Sequence, residues 1–77
     1  MSVYSVYAGR YDSPSETKKD IAKFNKLGLK GYVFSRNDHY ALKVFTSPNK
    51  ASAEIISNKL KQLGYEVEFE ENIINNR

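Results

Sequence analysis

The sequence contains no cysteine and a single histidine among its 77 residues. Without cysteine, the chain has no disulfide, no thiolate nucleophile and no zinc–thiolate site. No serine–histidine–aspartate set, metal-ligand cluster or glycine-rich phosphate loop accompanies His39 in the sequence. We therefore expect a protein without catalytic residues, bound metal or cofactor.

Long apolar runs are also missing. The longest ones are a few residues, whereas a bilayer span needs about 20. The opening segment MSVYSVYAG has neither the basic start nor the apolar core of a secretory signal. We expect no membrane segment, and a chain that is cytoplasmic, is released by lysis, or is exported as part of a longer protein.

The chain is short and mildly basic. A domain of 77 residues buries only about 60% of the surface that its unfolded form exposes, so its core must be well patterned. The net charge of +3 and the pI near 9.2 favour anionic partners such as nucleic acid, acidic lipid or anionic wall polymer, although simple solubility explains them equally well. Most lysines lie in two helical stretches, whereas glutamates cluster between Glu66 and Glu71.

Hydrophobic spacing and turn residues predict four strands and two helices. Ser13-Pro14 and Ser47-Pro48 each combine a capping serine with a proline suited to the first helical position. Gly28 and Gly64 can adopt the left-handed conformation that ends a helix. The predicted strands cover residues 3–9, 29–34, 40–45 and 65–69, and the predicted buried helix positions are Ile21, Phe24, Leu27, Ala53, Ile56, Leu60 and Leu63.

The two halves of the chain are similar at a shift of 36 residues. Lys26-Leu27-Gly28-Leu29-Lys30 aligns with Gln62-Leu63-Gly64-Tyr65-Glu66, and the helix starts align at a slightly smaller shift. Each half reads strand, helix, strand. The right-handed crossover rule then predicts an α+β, ferredoxin-like βαββαβ fold: a four-stranded antiparallel sheet, its first and third strands central, with both helices on one face.

This fold leaves the other face of the sheet uncovered. Exposed aromatic patches often mark binding sites, and they also form homodimer interfaces. In the second strand only Val33 indicates which side chains point inward. The sequence therefore also allows Tyr32 and Phe34 to point inward instead. The predicted occupants of the open face are Ser5, Tyr7, Tyr32, Phe34, Ala41, Lys43 and Phe45, with Glu66, Glu68 and Glu70 on an edge strand.

Short apolar motifs recur in the predicted order of elements. They are Val6-Tyr7-Ala8-Gly9-Arg10-Tyr11, Leu27-Gly28-Leu29, Tyr40-Ala41-Leu42-Lys43-Val44 and, with Ala53 and Leu60, Leu63-Gly64-Tyr65. In these motifs and in the order of elements, rather than in a diagnostic residue, the chain resembles the SPOR family of peptidoglycan-binding domains. The resemblance covers residues 3–70, and it implies one SPOR-like domain over residues 1–71 followed by a polar tail over 72–77.

The resemblance implies a non-catalytic module that binds glycan strands of peptidoglycan, preferably stretches stripped of stem peptides, through the open sheet face. It also implies a wall- or envelope-associated protein, targeting a wall hydrolase such as an amidase or endolysin, or a division or sporulation protein. Two departures affect ligand identity rather than fold. Tyr7 replaces a residue that is commonly Gln in the family, and Phe45-Thr46-Ser47 stands where Gly-Pro-Phe is usual.

The candidate residues suit a sugar chain. Aromatic rings offer stiff apolar platforms to the C–H faces of sugars, and tyrosine adds a hydroxyl group. Muramic acid without its peptide exposes a carboxylate that Lys43 can meet, with Arg10 and Arg36 as weaker candidates. Because an exposed ion pair contributes only about 0–1 kcal/mol, affinity must come from several stacked sugars.

Two other functions stay open on the same residues. RNA-recognition domains share the βαββαβ order and stack bases on exposed aromatics, a role open to Tyr7 and Phe45. The third strand lacks their Lys/Arg-Gly-Phe-x-Phe pattern, and the glutamates from Glu66 to Glu70 repel phosphate, which disfavours a nucleic-acid partner. A protein-interaction or homodimerisation module would instead use the aromatic face or an edge strand.

Overall fold

Strands and helices follow one another in the predicted βαββαβ order. The computed structural model describes residues 1–74 and has an α+β, ferredoxin-like fold. The sheet order is β2-β3-β1-β4 with every pairing antiparallel, which confirms that the first and third strands are central. The elements are β1 (Ser2–Tyr11), a short 3-10 turn (Pro14–Thr17), α1 (Lys18–Lys26), β2 (Tyr32–Ser35), β3 (Tyr40–Ser47), α2 (Lys50–Gln62) and β4 (Val67–Ile73).

The hydrophobic core lies between the helices and one face of the sheet. Helix α2 packs across β1, β3 and β4, and α1 contributes Phe24, whose ring lies 4.9 Å from that of Tyr65. The fully buried side chains supply most of the hydrophobic stabilisation of a domain this small. The core cluster comprises Val6, Ala8, Tyr11, Phe24, Leu42, Val44, Ala53 and Leu60.

Both helices end in the same hydrogen-bonded turn, 36 residues apart. Gly28 and Gly64 have φ angles of +81° and +95°, as predicted for helix-terminating glycines. The backbone N–H of Leu29 donates to the carbonyl of Phe24, five residues earlier, at 2.9 Å, and that of Tyr65 donates in the same way to Leu60 at 3.1 Å. The chain is therefore redirected into the sheet in the same way after each helix.

The helix starts differ from the prediction. Ser13 does not cap a backbone N–H; its hydroxyl donates instead to the Glu16 carboxylate at 3.3 Å. At the second helix the cap is Asn49, whose side chain accepts a hydrogen bond from the Ser52 N–H at 3.1 Å, and Ser47 accepts from the Asn49 N–H. The predicted cap position at Ser13, with Pro14 as the first helical residue, is therefore correct although the side-chain bond is missing, whereas the predicted cap Ser47 is wrong because Asn49 caps α2.

Two irregularities interrupt the pairing of β1 with β3. In β1, Gly9 and Arg10 together stand opposite a single residue of β3. In β3, the register shifts at Val44, so Val6 pairs with Phe45 while Tyr7 pairs with Lys43. A bulge of this kind reverses the alternation of side chains beyond it. The prediction that Phe45 lies on the open face is therefore wrong: Phe45 packs against the core cluster on the helix side.

The strand ends also differ from the expected ones. The last strand continues to Ile73, so the predicted tail boundary after residue 71 falls inside β4. The second strand begins at Tyr32 rather than at Leu29, which packs against the core. Residues 75–77 of the predicted tail lie outside the described part of the chain. Within residues 1–74, neither helix is long and apolar enough to span a bilayer.

Candidate functional site

The sheet face opposite the helices carries the predicted site residues except Phe45. In β2, Tyr32 pairs with Lys43 and Phe34 pairs with Ala41, so this strand has the outward phase. The register places Ser5 and Tyr7 of β1 on the same face, where the Ser5 hydroxyl lies 3.4 Å from that of Thr46. Strand β4 completes the face, with Glu68 opposite Tyr7 and Glu70 opposite Ser5.

Tyr7, at the centre of this face, is covered rather than open to solvent. Its side chain is only 4% exposed. The guanidinium carbon of Arg36 lies 4.3 Å above the centre of its ring, and the Phe34 ring meets it edge-on at 5.8 Å. Ser5 and Ala41 are buried as well. The prediction of a wet ring at Tyr7 is therefore wrong: a ligand reaches the face of this ring only after Arg36 moves.

Arg36 is held in place by two carboxylates of β4. Its Nε donates to Glu68 Oε1 at 3.2 Å, and its Nη2 donates to Glu70 Oε2 at 3.4 Å. Nη2 also lies 3.2 Å from Glu68 Oε1. The Tyr7 hydroxyl donates to Glu70 Oε1 at 3.3 Å. Cation–π stacking and charge-assisted hydrogen bonds thus fix the same guanidinium from two sides. We call Tyr7, Arg36, Glu68 and Glu70, together with Asp38 and His39, the charged network.

His39 connects this network to the turn between β2 and β3. Its Nε2 lies 2.9 Å from Glu68 Oε2, and its Nδ1 lies 2.7 Å from Asp38 Oδ1. The other oxygen of Asp38 accepts from Arg10 Nη2 at 2.7 Å. A neutral imidazole donates from one nitrogen only, so two carboxylate partners favour the protonated ring. Residues from β1, the turn and β4 are therefore linked across the end of the sheet.

The ionisation of the charged network follows from these contacts. Hydrogen bonds that His39 donates to Asp38, and then to Glu68, raise the pKa of His39. The hydrogen bond from Asn72 lowers the pKa of Glu70, and the nearby Arg36 adds to this against the opposing effect of burial. Burial, and then the charge of Glu70, raises the pKa of the Tyr7 phenol. Near neutral pH, Tyr7 is therefore a neutral donor and Glu70 a carboxylate acceptor.

The accessible region lies at the sheet edge where β2 stops short of β3, so that it includes residues of the open face together with Val33, Val44 and Phe45 of the helix side. A shallow depression of about 660 Å³ opens there. Tyr32 is 58% exposed and Phe34 is 39% exposed, and the Lys43 ammonium group lies 5.1 Å from the centre of the Phe34 ring. We call this region the aromatic corner. It is lined by Lys30, Tyr32, Val33, Phe34, Lys43, Val44, Phe45 and Thr46.

This corner combines flat apolar surface with positive charge. Rings at Tyr32 and Phe34 can stack on the apolar side of a ring-shaped ligand, and the ammonium groups of Lys30 and Lys43 can meet an anionic substituent. The groups of the charged network are already paired with one another, so they offer less to a ligand. Within residues 1–74, no group of three or more His, Asp or Glu side chains is placed to hold a metal ion.

Three residues near the candidate site were not predicted, or were predicted only weakly, from the sequence. Lys30 lies in the predicted second strand but is not a predicted site residue, Thr46 is not a predicted site residue either, and Arg36 is only a weak candidate. Arg36 could have been found, because residues 32, 34 and 36 continue the alternation of one strand face. Thr46 could not, because it reaches the open face only through the bulge at Val44.

Comparisons with known proteins give one clear structural likeness. No protein-family model and no curated protein matches the chain. The fold is similar to the solution structure of the peptidoglycan binding domain of the B. subtilis cell wall lytic enzyme CwlC, with a TM-score of 0.74 and 14% sequence identity. The similarity covers 95% of this chain and 92% of that domain. At this identity, the likeness shows the fold.

Proposed function

We propose that this protein is a non-catalytic module that binds glycan strands of the bacterial cell wall. The observation that carries the proposal is the aromatic corner, where exposed Tyr32 and Phe34 lie beside Lys43 on the sheet face that the helices leave free. The same fold serves peptidoglycan binding in CwlC, which supports a wall ligand over other sugar polymers. The proposal extends to membership of the SPOR family, on the motifs quoted above.

The structure changes where we expect the ligand to lie. A strand crossing the centre of the face would meet Tyr7 only after displacing Arg36 from two carboxylates. A strand entering at the aromatic corner meets exposed rings directly. We therefore propose that the glycan runs along β2 and the adjoining part of β3, with the muramic acid carboxylate directed at Lys43 and Lys30.

This geometry accounts for a preference for stripped glycan. A stem peptide on muramic acid converts its carboxylate into an amide and removes the charge that the two lysines would meet. It also adds bulk beside the exposed rings. Because exposed ion pairs are weak, we expect a dissociation constant in the micromolar to millimolar range, roughly −8 to −4 kcal/mol. Such a weak module would act by concentrating a linked protein at the wall, and a wall hydrolase of the amidase or endolysin type fits that role.

Co-sedimentation tests the proposal. The protein is mixed with purified sacculi freed of attached anionic polymers, either native or treated with an amidase that strips the stem peptides. We expect more protein to pellet with the stripped sacculi. Phe34→Ala and Lys43→Ala should each lower the bound fraction at least about threefold, roughly 0.6 kcal/mol, the size expected for one exposed contact.

Two matched controls separate the site from general effects. Phe69 has the same 39% exposure as Phe34 but packs against Tyr4 on the helix side, and Lys61 is an exposed lysine of α2. Phe69→Ala and Lys61→Ala should leave pelleting unchanged. If neither preparation of sacculi pellets the protein, wall binding is rejected; if the controls weaken pelleting as much as the site variants do, the aromatic corner is not the site.

A further inference from the structure

Charge divides the domain into two unlike sides. Residues 13–29 and 47–64, which form the helical layer with its caps, have seven lysines and three acidic residues. The remaining described residues, in the sheet and its turns, have six acidic residues and four lysines or arginines. The cations of the helical layer are Lys18, Lys19, Lys23, Lys26, Lys50, Lys59 and Lys61.

On α1 the lysines form a line rather than a scatter. At 3.6 residues per turn, Lys19, Lys23 and Lys26 fall within about 60° of one another around the helix and span about 10 Å along its axis. All three are exposed. This lysine stripe lies on the side of the helix opposite the inward-facing Phe24 and Ile21. It is therefore the outermost line of the helical layer.

The stripe is poorly compensated by acidic side chains. Within residues 1–74, a carboxylate comes within 4.0 Å of only one of its lysines, where Asp20 Oδ1 lies 3.8 Å from Lys23 Nζ. That carboxylate also accepts a hydrogen bond from the buried Tyr11 at 2.6 Å, so it is fixed toward the core. Like charges at spacings of three and four residues destabilise a helix. Lys23 and Lys26 lie in the last turn of α1, where the helix dipole favours cations, but Lys19 lies in the first turn, where it does not. The extension of the stripe to Lys19 therefore opposes folding without an evident structural gain, which points to a functional use.

We propose that the lysine stripe of α1 binds a linear phosphodiester polymer of the cell wall, while the opposite face of the domain holds glycan. The inference rests on the proposed function for the choice of a wall polymer. Acidic side chains predominate on the sheet side, so the field of the domain directs a polyanion to the helices. The domain then has two wall ligands on two faces, and both can bind at once.

The chemistry of the helical layer favours such a polymer over nucleic acid. All seven cations are lysines, which act as point charges, whereas arginine supplies the planar fork typical of phosphate and nucleic-acid recognition. Single-stranded nucleic acid also needs exposed aromatic rings for base stacking. Within residues 13–29 and 47–64 the one aromatic residue is Phe24, which is fully buried and packs on Tyr65.

The stripe itself is unsuited to a membrane surface. A helix that lies in the bilayer interface turns its apolar side toward the lipid. In α1, Phe24 and Ile21 pack into the domain, and the outward line is the lysine stripe. The exposed apolar residues of the layer are the C-cap residues Leu27 and Leu63 and Ile55 of α2, none of which belongs to the stripe.

The test compares two triple variants of equal charge. Lys19→Gln/Lys23→Gln/Lys26→Gln removes the stripe, whereas Lys50→Gln/Lys59→Gln/Lys61→Gln removes three lysines that are dispersed around α2. Binding to poly(glycerol phosphate) is measured by titration at several salt concentrations. We expect the α1 variant to bind at least about tenfold more weakly, with the slope of log K against log salt reduced by about 2, and the α2 variant to change affinity less than threefold.

Further measurements show whether the stripe, and not net charge or another ligand, explains the binding. Equal losses in both variants would show that only net charge matters and would overturn the inference. Equal or tighter binding of a single-stranded oligonucleotide, or of vesicles with anionic lipid, would overturn the choice of polymer. Pelleting with stripped, polymer-free sacculi must stay unchanged in the α1 variant, so a failure of glycan binding and a failure of the stripe are distinguished. Circular dichroism confirms that each variant is folded.

Discussion

Gly9 occupies a position that no other residue can fill without strain. It lies in the β1 bulge with a φ of +82°, and its N–H donates to the Glu66 carbonyl at 2.8 Å. The Tyr11 ring lies where a side-chain Cβ on Gly9 would stand. Tyr11 is itself fixed, because it is buried in the core and donates to Asp20. Backbone conformation and packing therefore both require glycine here.

We expect Gly9→Ala to destabilise the fold by about 3 kcal/mol or more, because a left-handed backbone costs an ordinary residue about 1–2 kcal/mol and overpacking adds about 1–3. Gly28→Ala is the matched control: its φ is +81°, but no atom lies within 4 Å of the added Cβ. The control should lose only about 1–2 kcal/mol. Urea denaturation measures both, and equal losses would contradict the role assigned to Tyr11.

The candidate site shows which residue properties a sequence encodes. Alternation placed Tyr32, Phe34 and Lys43 on the open face correctly, because side-chain direction in a strand has a period of two. It could not give exposure, which depends on neighbours from other strands. Tyr7 is covered by Arg36, and Arg36 lies there because two carboxylates from β4 hold it. The hydrogen bonds from Arg36 to these carboxylates join residues more than 30 positions apart in sequence.

Among the elements, the turn between β2 and β3 is the most dependent on charge. His39 joins this turn to β4 through Glu68, and Asp38 joins it to β1 through Arg10. Arg36 crosses from the same turn to Glu68 and Glu70. Because exposed ion pairs are individually weak, the effect depends on the network acting together. The position of the turn should therefore depend on pH.

The raised pKa of His39 predicts the direction in which stability changes with pH. A folded-state pKa above the unfolded value of about 6.5 means that protonation stabilises the fold; the effect is complete below pH ~6.5 and is lost as pH rises through the folded pKa. We expect the stability of the native protein to fall as pH rises above about 6.5, and we expect no such fall in His39→Gln.

Asp38 and Glu70 act in the opposite direction, because hydrogen bonding lowers their pKa values. Their stabilisation is present above the unfolded pKa values and is lost as pH falls through the folded ones.

An NMR titration measures the effect directly, since His39 is the single histidine. Its midpoint should lie above 6.5, and Glu68→Gln should lower it because one of the two carboxylate partners is removed. Glu66→Gln, on the neighbouring stretch of chain but without a contact to the imidazole, should leave it unchanged. A midpoint that Glu68→Gln does not shift would refute the bridge.

Element order was predictable, whereas element detail was not. Gly28 and Gly64 marked both helix ends because a left-handed residue there leaves few alternatives to glycine. Asn49, Ser47 and Ser13 are all residues that can cap a helix, so the choice among them depends on the approach of the chain from β3 or β1. The bulge that turns Phe45 inward depends on how β1 and β3 pair. The sequence of β3 alone does not predict that pairing.

At the scale of the whole molecule, stability depends on few side chains. A single core in a chain of this length rarely supplies more than about 3–5 kcal/mol. Phe24 is completely buried and contacts Tyr65 across the helical layer, so it connects α1 to the C-terminal half. Removal of one large buried ring is thus comparable with the whole free energy of unfolding.

Phe24→Ala should cost about 3–5 kcal/mol and leave the domain largely unfolded at 25 °C. Phe24→Leu keeps most of the volume and should lose about 1.5 kcal/mol or less. Ile55→Ala is the surface control, because Ile55 is 66% exposed on α2; its effect should stay within about 0.5 kcal/mol. Far-ultraviolet circular dichroism during thermal unfolding reports all three. A cooperative transition in Phe24→Ala with an unchanged midpoint would show that α1 is not coupled to the core.

The glutamates of β4 have a consequence for association between copies of the domain. β4 is an edge strand, and Glu66, Glu68 and Glu70 recur at every second position on or beside it. If a neighbouring copy added its own β4 to this edge, carboxylates would face carboxylates across adjacent strands, about 5 Å apart. Charged edges of this kind prevent sheets from joining into aggregates. The row of acids that holds Arg36 thus also disfavours edge-to-edge pairing of concentrated copies.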